Sequence, residues 1–209
     1  MERPANRDEY LQLIKSWLPE NPTVLEIGVE AGHLSTKILE TLDPAELHLL
    51  DPWETNPGNG KIYSEGHMNN VPTAHSNVGM QIAIERKFSG EIKDGVVHIH
   101  RGYSSDLVDK FEEGYFDFVY IDGCHLYDSV KEDLNNYLPK VQNQGILGGH
   151  DYISKEVKFE QQGVVYSNQL GYGIKQAVDE LLEERKDLEL VAVVSDDWPF
   201  PDWAIRRIS

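Results

Sequence analysis

The sequence predicts an α/β protein built on a mostly parallel seven-stranded sheet, with helices on both faces and an antiparallel hairpin at its C-terminal end. Three observations carry this expectation. Short apolar runs alternate with stretches of helical periodicity along most of the chain. The runs end abruptly on glycine, aspartate or histidine, as strand-to-helix turns do. The last two runs are joined by Asp196, Asp197, Trp198, Pro199, Phe200 and Pro201, a segment that suits a reversal of direction.

Each element has its own signal. Tyr10, Leu11, Ile14, Trp17 and Leu18 fall at helical spacing over residues 8–18, and Asn21-Pro22 ends that helix. Residues 23–27 (TVLEI) read as a buried strand. Gly28 and Gly32 bound a turn, and Leu34, Ile38, Leu39 and Leu42 mark one face of the helix that Asp43-Pro44 stops. Residues 46–50 (ELHLL) form a second strand closing on Asp51-Pro52. Residues 53–77 are rich in Gly, Pro, Asn and His without periodicity, which predicts a lid or substrate-facing insertion. A helix near 78–88, a strand at 96–100 (VVHIH) and a short helix at 105–112 follow. Residues 116–121 (FDFVYI) make the fourth strand, ending on Asp122-Gly123. Tyr127, Val130, Leu134, Tyr137 and Leu138 then line one helix face. Residues 145–149 (GILGG) lead into His150-Asp151, and residues 154–170 give no clear pattern. Ile174, Ala177, Val178, Leu181 and Leu182 define another helix, and 188–195 with 203–208 form the closing strand pair.

Composition bounds the function. The 209 residues fit one medium domain, 1–209, and 40% hydrophobic content is enough for a sizeable core. A net charge of -17 repels phosphate backbones, so a nucleic-acid partner is not expected. The single cysteine, Cys124, allows no intrachain disulfide and fits a reducing, cytoplasmic setting. The charged N-terminus and the lack of a long apolar run predict neither a secretory leader nor a membrane span. Homo-oligomerisation is left open.

Open parallel sheets bind ligands beyond the carboxyl ends of their strands. The residues that follow each strand therefore carry the chemistry. After the first come Glu26, Gly28 and Gly32: two glycines that allow close backbone approach, and an acid able to face a cation. Alone, this spacing also suits an ordinary tight turn. The G-x-G-x-x-G spacing of dinucleotide sites is absent, and Glu30 would face a pyrophosphate badly, so an ammonium or sulfonium ligand fits better. Asp51 ends the second strand about twenty residues past the glycine turn, where a carboxylate can accept ribose hydroxyls. Gly102, Tyr103 and Ser104 follow the third strand. Asp122 and His125 follow the fourth, and His150 and Asp151 the fifth. Acids and histidines gathered on one sheet edge suit a divalent cation or proton abstraction, although loop polarity is common. Trp198, Phe200 and Trp203 either roof a pocket or belong to the core.

Taken together these stretches resemble the class I S-adenosylmethionine (SAM)-dependent methyltransferases, on a Rossmann-like fold. The resemblance lies in residues 24–35 (VLEIGVEAGHLS), 49–54 (LLDPWE), 116–152 and 171–182 (GYGIKQAVDELL). The run from Asp122 through His125 to Asp151 is similar to a subgroup that includes metal-dependent sugar and antibiotic-tailoring O-methyltransferases. The resemblance implies SAM as cofactor and a small-molecule hydroxyl as acceptor. It implies that Glu26, Gly28 and Gly32 line the methionine part, that Asp51 holds the ribose, and that Gly102, Tyr103 and Ser104 border the adenine. Asp122 would lie beside the cofactor, His125 would be the general base, and Asp122, His150 and Asp151 would ligate a metal. One position departs: such relatives commonly carry two acids at 150–151, and this chain has His150-Asp151. A histidine there moves the expectation from magnesium toward manganese or no metal. The alternatives are an NAD-dependent oxidoreductase and a non-catalytic SAM-binding protein.

Overall fold

The computed structural model describes residues 1–53, 77–153, 158–161, 164–167, 172–194 and 200–208. The insertion expected at 53–77 lies outside these, apart from its end residues. In chain order the elements are α1 (Arg7–Lys15), β1 (Thr23–Ile27), α2 (His33–Leu42), β2 (Glu46–Asp51), α3 (Asn77–Lys87) and α4 (Ser89–Lys93). Then come β3 (Val97–Arg101), α5 (Ser104–Leu107), β4 (Phe116–Ile121), α6 (Tyr127–Tyr137) and β5 (Val141–Gly149). The chain continues with β6 (Lys158–Gln161), β7 (Val164–Ser167), α7 (Ile174–Glu184), β8 (Leu188–Val193) and β9 (Trp203–Arg207). No helix among the described residues is long and apolar enough to cross a membrane.

The sheet runs β3-β2-β1-β4-β5-β9-β8. Its first five strands are parallel, and β9 is antiparallel to both neighbours, as the sequence predicts. Strand order reverses between β1 and β4, which opens a crevice at their carboxyl ends. Register keeps those ends level: Ile27 pairs with Leu50 and with Ile121, and Ile121 pairs with Gly149.

Period-two alternation divides the strands between two cores. Leu25, Ile27, Val119 and Ile121 pack against Val130 and Leu134 of α6 and Val178 and Leu181 of α7. Val24, Phe118 and Tyr120 pack on the other face with Tyr10 and Ile14 of α1 and Leu34, Ile38 and Leu42 of α2. Each such side chain, fully buried, contributes about 1.5–3 kcal/mol. Trp203 is fully buried in the first core, which settles its role as packing rather than as a pocket roof.

The boundaries differ from expectation where local chemistry intervenes. Helix α1 is capped by Asn6, whose side chain accepts from Glu9 N at 2.9 Å, and it stops at Lys15 rather than Leu18. Only α5 and a 3₁₀ turn at Val108–Lys110 occupy the helix expected at 105–112. Strand β5 begins four residues early, at Val141, through an irregular register with β4 and a left-handed Gln144. The unpatterned stretch 154–170 contains the antiparallel β6–β7 ribbon.

Helix α1 docks where β5 has no side chain. A Cβ on Gly148 would lie 2.4 Å from Tyr10 Oη and 2.8 Å from Trp203 O. Tyr10 Oη donates to Trp203 O at 2.8 Å, and Arg7 forms a two-pronged pair with Asp202 just before β9. Gly148→Ala is expected to destabilise the protein by about 1–3 kcal/mol through overpacking. Guanidinium unfolding measures this, and an unchanged midpoint would mean that α1 is not seated on Gly148.

Candidate active site

The site is assembled from strand ends that are laced to one another by backbone hydrogen bonds. Gly28 N donates to Leu50 O at 2.9 Å, Gly102 N to Asp51 O at 3.1 Å, Asp122 N to Ile27 O at 2.8 Å and His150 N to Ile121 O at 3.2 Å. Gly28 has φ +88°, and a Cβ there would stand 2.0 Å from Asp122 O. Glycine is thus required for the first turn to touch the end of β4.

Gly32, at φ +67°, starts α2 and is covered by α3: its added Cβ would meet Ile84 Cδ1 at 2.4 Å, and Lys87 Nζ donates to Gly32 O at 3.1 Å. Asp51 ties the turn together. Its Oδ2 accepts from Val29 N and Glu30 N, both at 3.0 Å, and its Oδ1 from Trp53 N at 2.6 Å. A carboxylate offers about four acceptor sites, so these three bonds leave room for one more.

Glu26 is fully buried, and Ser35 Oγ donates to its Oε2 at 2.6 Å. Burial pushes the Glu26 carboxyl up to about 8, more than the Ser35 bond lowers it, and the charges of Asp122 and Asp51 raise it further. At neutral pH Glu26 is thus largely protonated, and a cation placed beside it would draw off the proton.

Gly102 lies beside Asp51 through its backbone bond, and Tyr103 and Ser104 follow it, with the Ser104 hydroxyl turned to α6. It donates to Asp133 Oδ1 at 2.5 Å, while Tyr137 Oη donates to Ser104 O at 2.8 Å. Helix α6 therefore clamps this turn. The buried Asp133, pushed up to about 6 by burial, is missed by the sequence reading. Its signal was an acid three residues after Val130, on the inward stripe of α6.

Asp122, His125, His150 and Asp151 do converge. His125 is bracketed by two carboxylates: Nε2 lies 3.2 Å from Asp122 Oδ1 and Nδ1 lies 2.9 Å from Asp151 Oδ2. His150 Nδ1 faces the same pair, 3.6 Å from Asp122 Oδ1 and 3.4 Å from Asp151 Oδ1. Burial disfavours a charged His125, but its bonds to Asp122 and Asp151 win and push the ring up to about 10. Burial likewise opposes ionisation of Asp122, yet His125 and His150 hold its carboxyl at about 2. His125 is therefore an imidazolium at neutral pH. The free base suggested by an unperturbed histidine is replaced by a ring whose two nitrogens are both engaged.

The surroundings fix these rings. Tyr172 meets His125 edge to face with centroids 4.8 Å apart, and Trp203 Nε1 donates to His150 O at 3.2 Å. Behind them stands Arg7, close enough to Asp122 and Glu26 to act on both charges. Asp202, which pairs with Arg7, also accepts from Tyr120 Oη. The donor atoms of Asp122, His125 and Asp151 lie within 4.8 Å of one another, a spacing that a cation could draw together. His150 adds a nitrogen, and its Nε2 is buried without a partner among the described residues.

Comparison with known proteins identifies the domain and its fold. A family described as a methyltransferase domain matches residues 25–152, from β1 through the end of β5. No curated protein matches. Among solved structures, the O-methyltransferase TomG from Streptomyces achromogenes, in complex with SAM, is 14% identical. It superposes with a TM-score of 0.63 over 97% of this chain and 79% of its own. An O-methyltransferase from Bacillus cereus in complex with SAH is 12% identical, with a TM-score of 0.61, 96% of this chain and 80% of its own covered. An rRNA methylase from Streptococcus thermophilus is 10% identical, with a TM-score of 0.61 over 100% of this chain and 99% of its own. At these identities the likeness is one of fold. The family match decides between the nucleoside cofactors in favour of SAM over NAD, and the chain belongs to the class I SAM-dependent methyltransferases.

Proposed function

We propose that this chain transfers the methyl group of SAM to a hydroxyl oxygen of a small polyhydroxylated acceptor, such as a sugar or related natural product, with His125 taking the hydroxyl proton. The observation that carries the proposal is the placement of His125 between Asp122 and Asp151, with Nδ1 2.9 Å from Asp151 Oδ2. Asp151 holds Nδ1–H and orients the ring, and Nε2, protonated while it faces Asp122, is the atom that would accept the hydroxyl proton once Asp122 is engaged elsewhere.

When bound, SAM supplies an electrophilic methyl on a positively charged sulfur. On this reading Glu26, Gly28 and Gly32 line its methionine end and Asp51 accepts from the ribose. Gly102, Tyr103 and Ser104 border the adenine. Ser104 contributes through its backbone, because its hydroxyl belongs to Asp133. The support is electrostatic: burial and the charges of Asp122 and Asp51 raise the Glu26 carboxyl, and a cationic ligand beside it would relieve this. A net charge of -17 favours a small acceptor over a nucleic acid.

Asp122, Asp151 and His150 would hold a divalent cation, whose contribution would be a lowered pKa for the acceptor hydroxyl. The mixed oxygen and nitrogen donors suit manganese better than magnesium. His125 and the cation draw on the same carboxylates. With Asp122 engaged by a cation and Asp151 still holding Nδ1–H, Nε2 would lose the partner that keeps it protonated and would be a competent base near neutral pH.

Three outcomes follow, read as SAH released from a panel of hydroxylated acceptors. His125→Gln lowers kcat by about 10²–10⁴-fold, with SAM affinity by calorimetry unchanged; equal losses in both would make His125 a cofactor-binding residue. A base works only when deprotonated, so in chelator the rate climbs toward about pH 10, where His125 titrates. Added manganese moves that limb to lower pH; a limb near 6.5 in both conditions contradicts the bracketed His125. SAM binding without SAH release from any acceptor would instead indicate a non-catalytic SAM-binding protein.

A further inference from the structure

A second group of metal-ligand side chains lies on the other half of the sheet, away from the strand ends described above. Strand β2 carries Glu46 and His48 and strand β3 carries His98 and His100. Alternation puts each pair on one face of its strand. The parallel register sets His48 directly beside His98, and Leu50 beside His100. The three imidazoles stack: His48 and His98 have centroids 4.7 Å apart, and His48 and His100 are 5.1 Å apart. Phe111, Tyr115 and Phe116 meet the His48 ring edge-on and hold it in place.

We propose that Glu46, His48 and His98 form a binding site for a divalent late-transition metal of the zinc class, clamping β2 to the edge strand β3. Their donor atoms already lie within 4.8 Å of one another. Tetrahedral zinc with bonds of about 2.1 Å puts its donors roughly 3.4 Å apart, so closing the site takes shifts of up to about 1.4 Å. His48 Nε2 and Glu46 Oε2 stand 3.2 Å apart, and the proton between them is the one that the metal would replace. His48 Nδ1 is 2.9 Å from His100 Nε2, so His100 orients the ligand ring through its other nitrogen.

Two further observations point to a ligand. His98 Nε2 is buried and has no partner among the described residues, so the stack leaves one strong donor or acceptor unused. The Glu46 side chain is 38% exposed, which gives an ion a way in from solvent. Burial also lowers the pKa of His48, and that of His100 to about 4, so these rings are neutral at physiological pH. Neutral imidazole is the form that binds metal. Nitrogen-rich donors with one carboxylate favour zinc, cobalt or nickel over magnesium or calcium.

Zinc chloride is titrated into the full chain carrying Asp122→Asn and Asp151→Asn, which removes the carboxylates of the candidate active site. One zinc ion is expected to bind this protein. Adding His98→Gln should weaken that binding by at least about 100-fold, and adding Glu46→Gln by at least about 10-fold. Glu46 sits at the exposed end of the cluster, so its variant reports on the site even if His98→Gln disturbs folding. Substitution of cobalt should give the visible absorption of a nitrogen-ligated ion, and His98→Gln should abolish it. The proposal is overturned if the doubly substituted protein takes up no zinc, or if zinc binds it equally well after Glu46→Gln.

Discussion

The contact on which the site depends is the one between the backbone of Gly28 and the backbone of Asp122. No side chain fits there, because a Cβ would overlap the Asp122 carbonyl oxygen at 2.0 Å. The contact lies where strand order reverses between β1 and β4. It brings the turn that starts α2 against the acid that ends β4, and Asp51 then ties the same turn to the end of β2. A larger residue at 28 would pry apart the ends of β1 and β4. The glycine thus serves strand packing first.

The second constraint is charge. Glu26, Asp51 and Asp122 share one region, and the protein meets their repulsion in different ways. Glu26 keeps its proton. Asp51 is held by three backbone amides. Asp122 is paired with His125 and His150 and lies within reach of Arg7. The charged imidazole of His125 occupies the place between two carboxylates where a divalent cation would be equally at home. On the function proposed above, proton, metal ion and sulfonium ligand would share a single pool of negative charge.

Much of this was legible in the sequence, and what was not had physical reasons. The seven strands of the sheet were visible because the buried runs are short, apolar and sharply ended. The grouping of Asp122, His125, His150 and Asp151 was visible because parallel strands deliver their carboxyl ends to one edge. The charge state of His125 was not, since it depends on Asp151 lying 2.9 Å from Nδ1, a fact of packing. The pairing of Arg7 with Asp202 joins residues 195 positions apart and has no local signal. Asp133 was hidden inside a helical pattern whose apolar members drew the attention. The histidines of β2 and β3 looked like strand residues, and only the register that sets His48 beside His98 turns them into a cluster. The ribbon β6–β7 escaped notice because its strands are four residues each and hardly alternate.

The most direct measurement is nitrogen-detected NMR of the histidine rings in metal-free protein at pH 8. The account predicts that both ring nitrogens of His125 carry protons at that pH, well above an ordinary histidine's midpoint. A His125 ring that is a neutral tautomer at pH 8 and titrates near 6.5 would mean that Asp122 and Asp151 do not bracket it, and the electrostatic basis of the site would be lost.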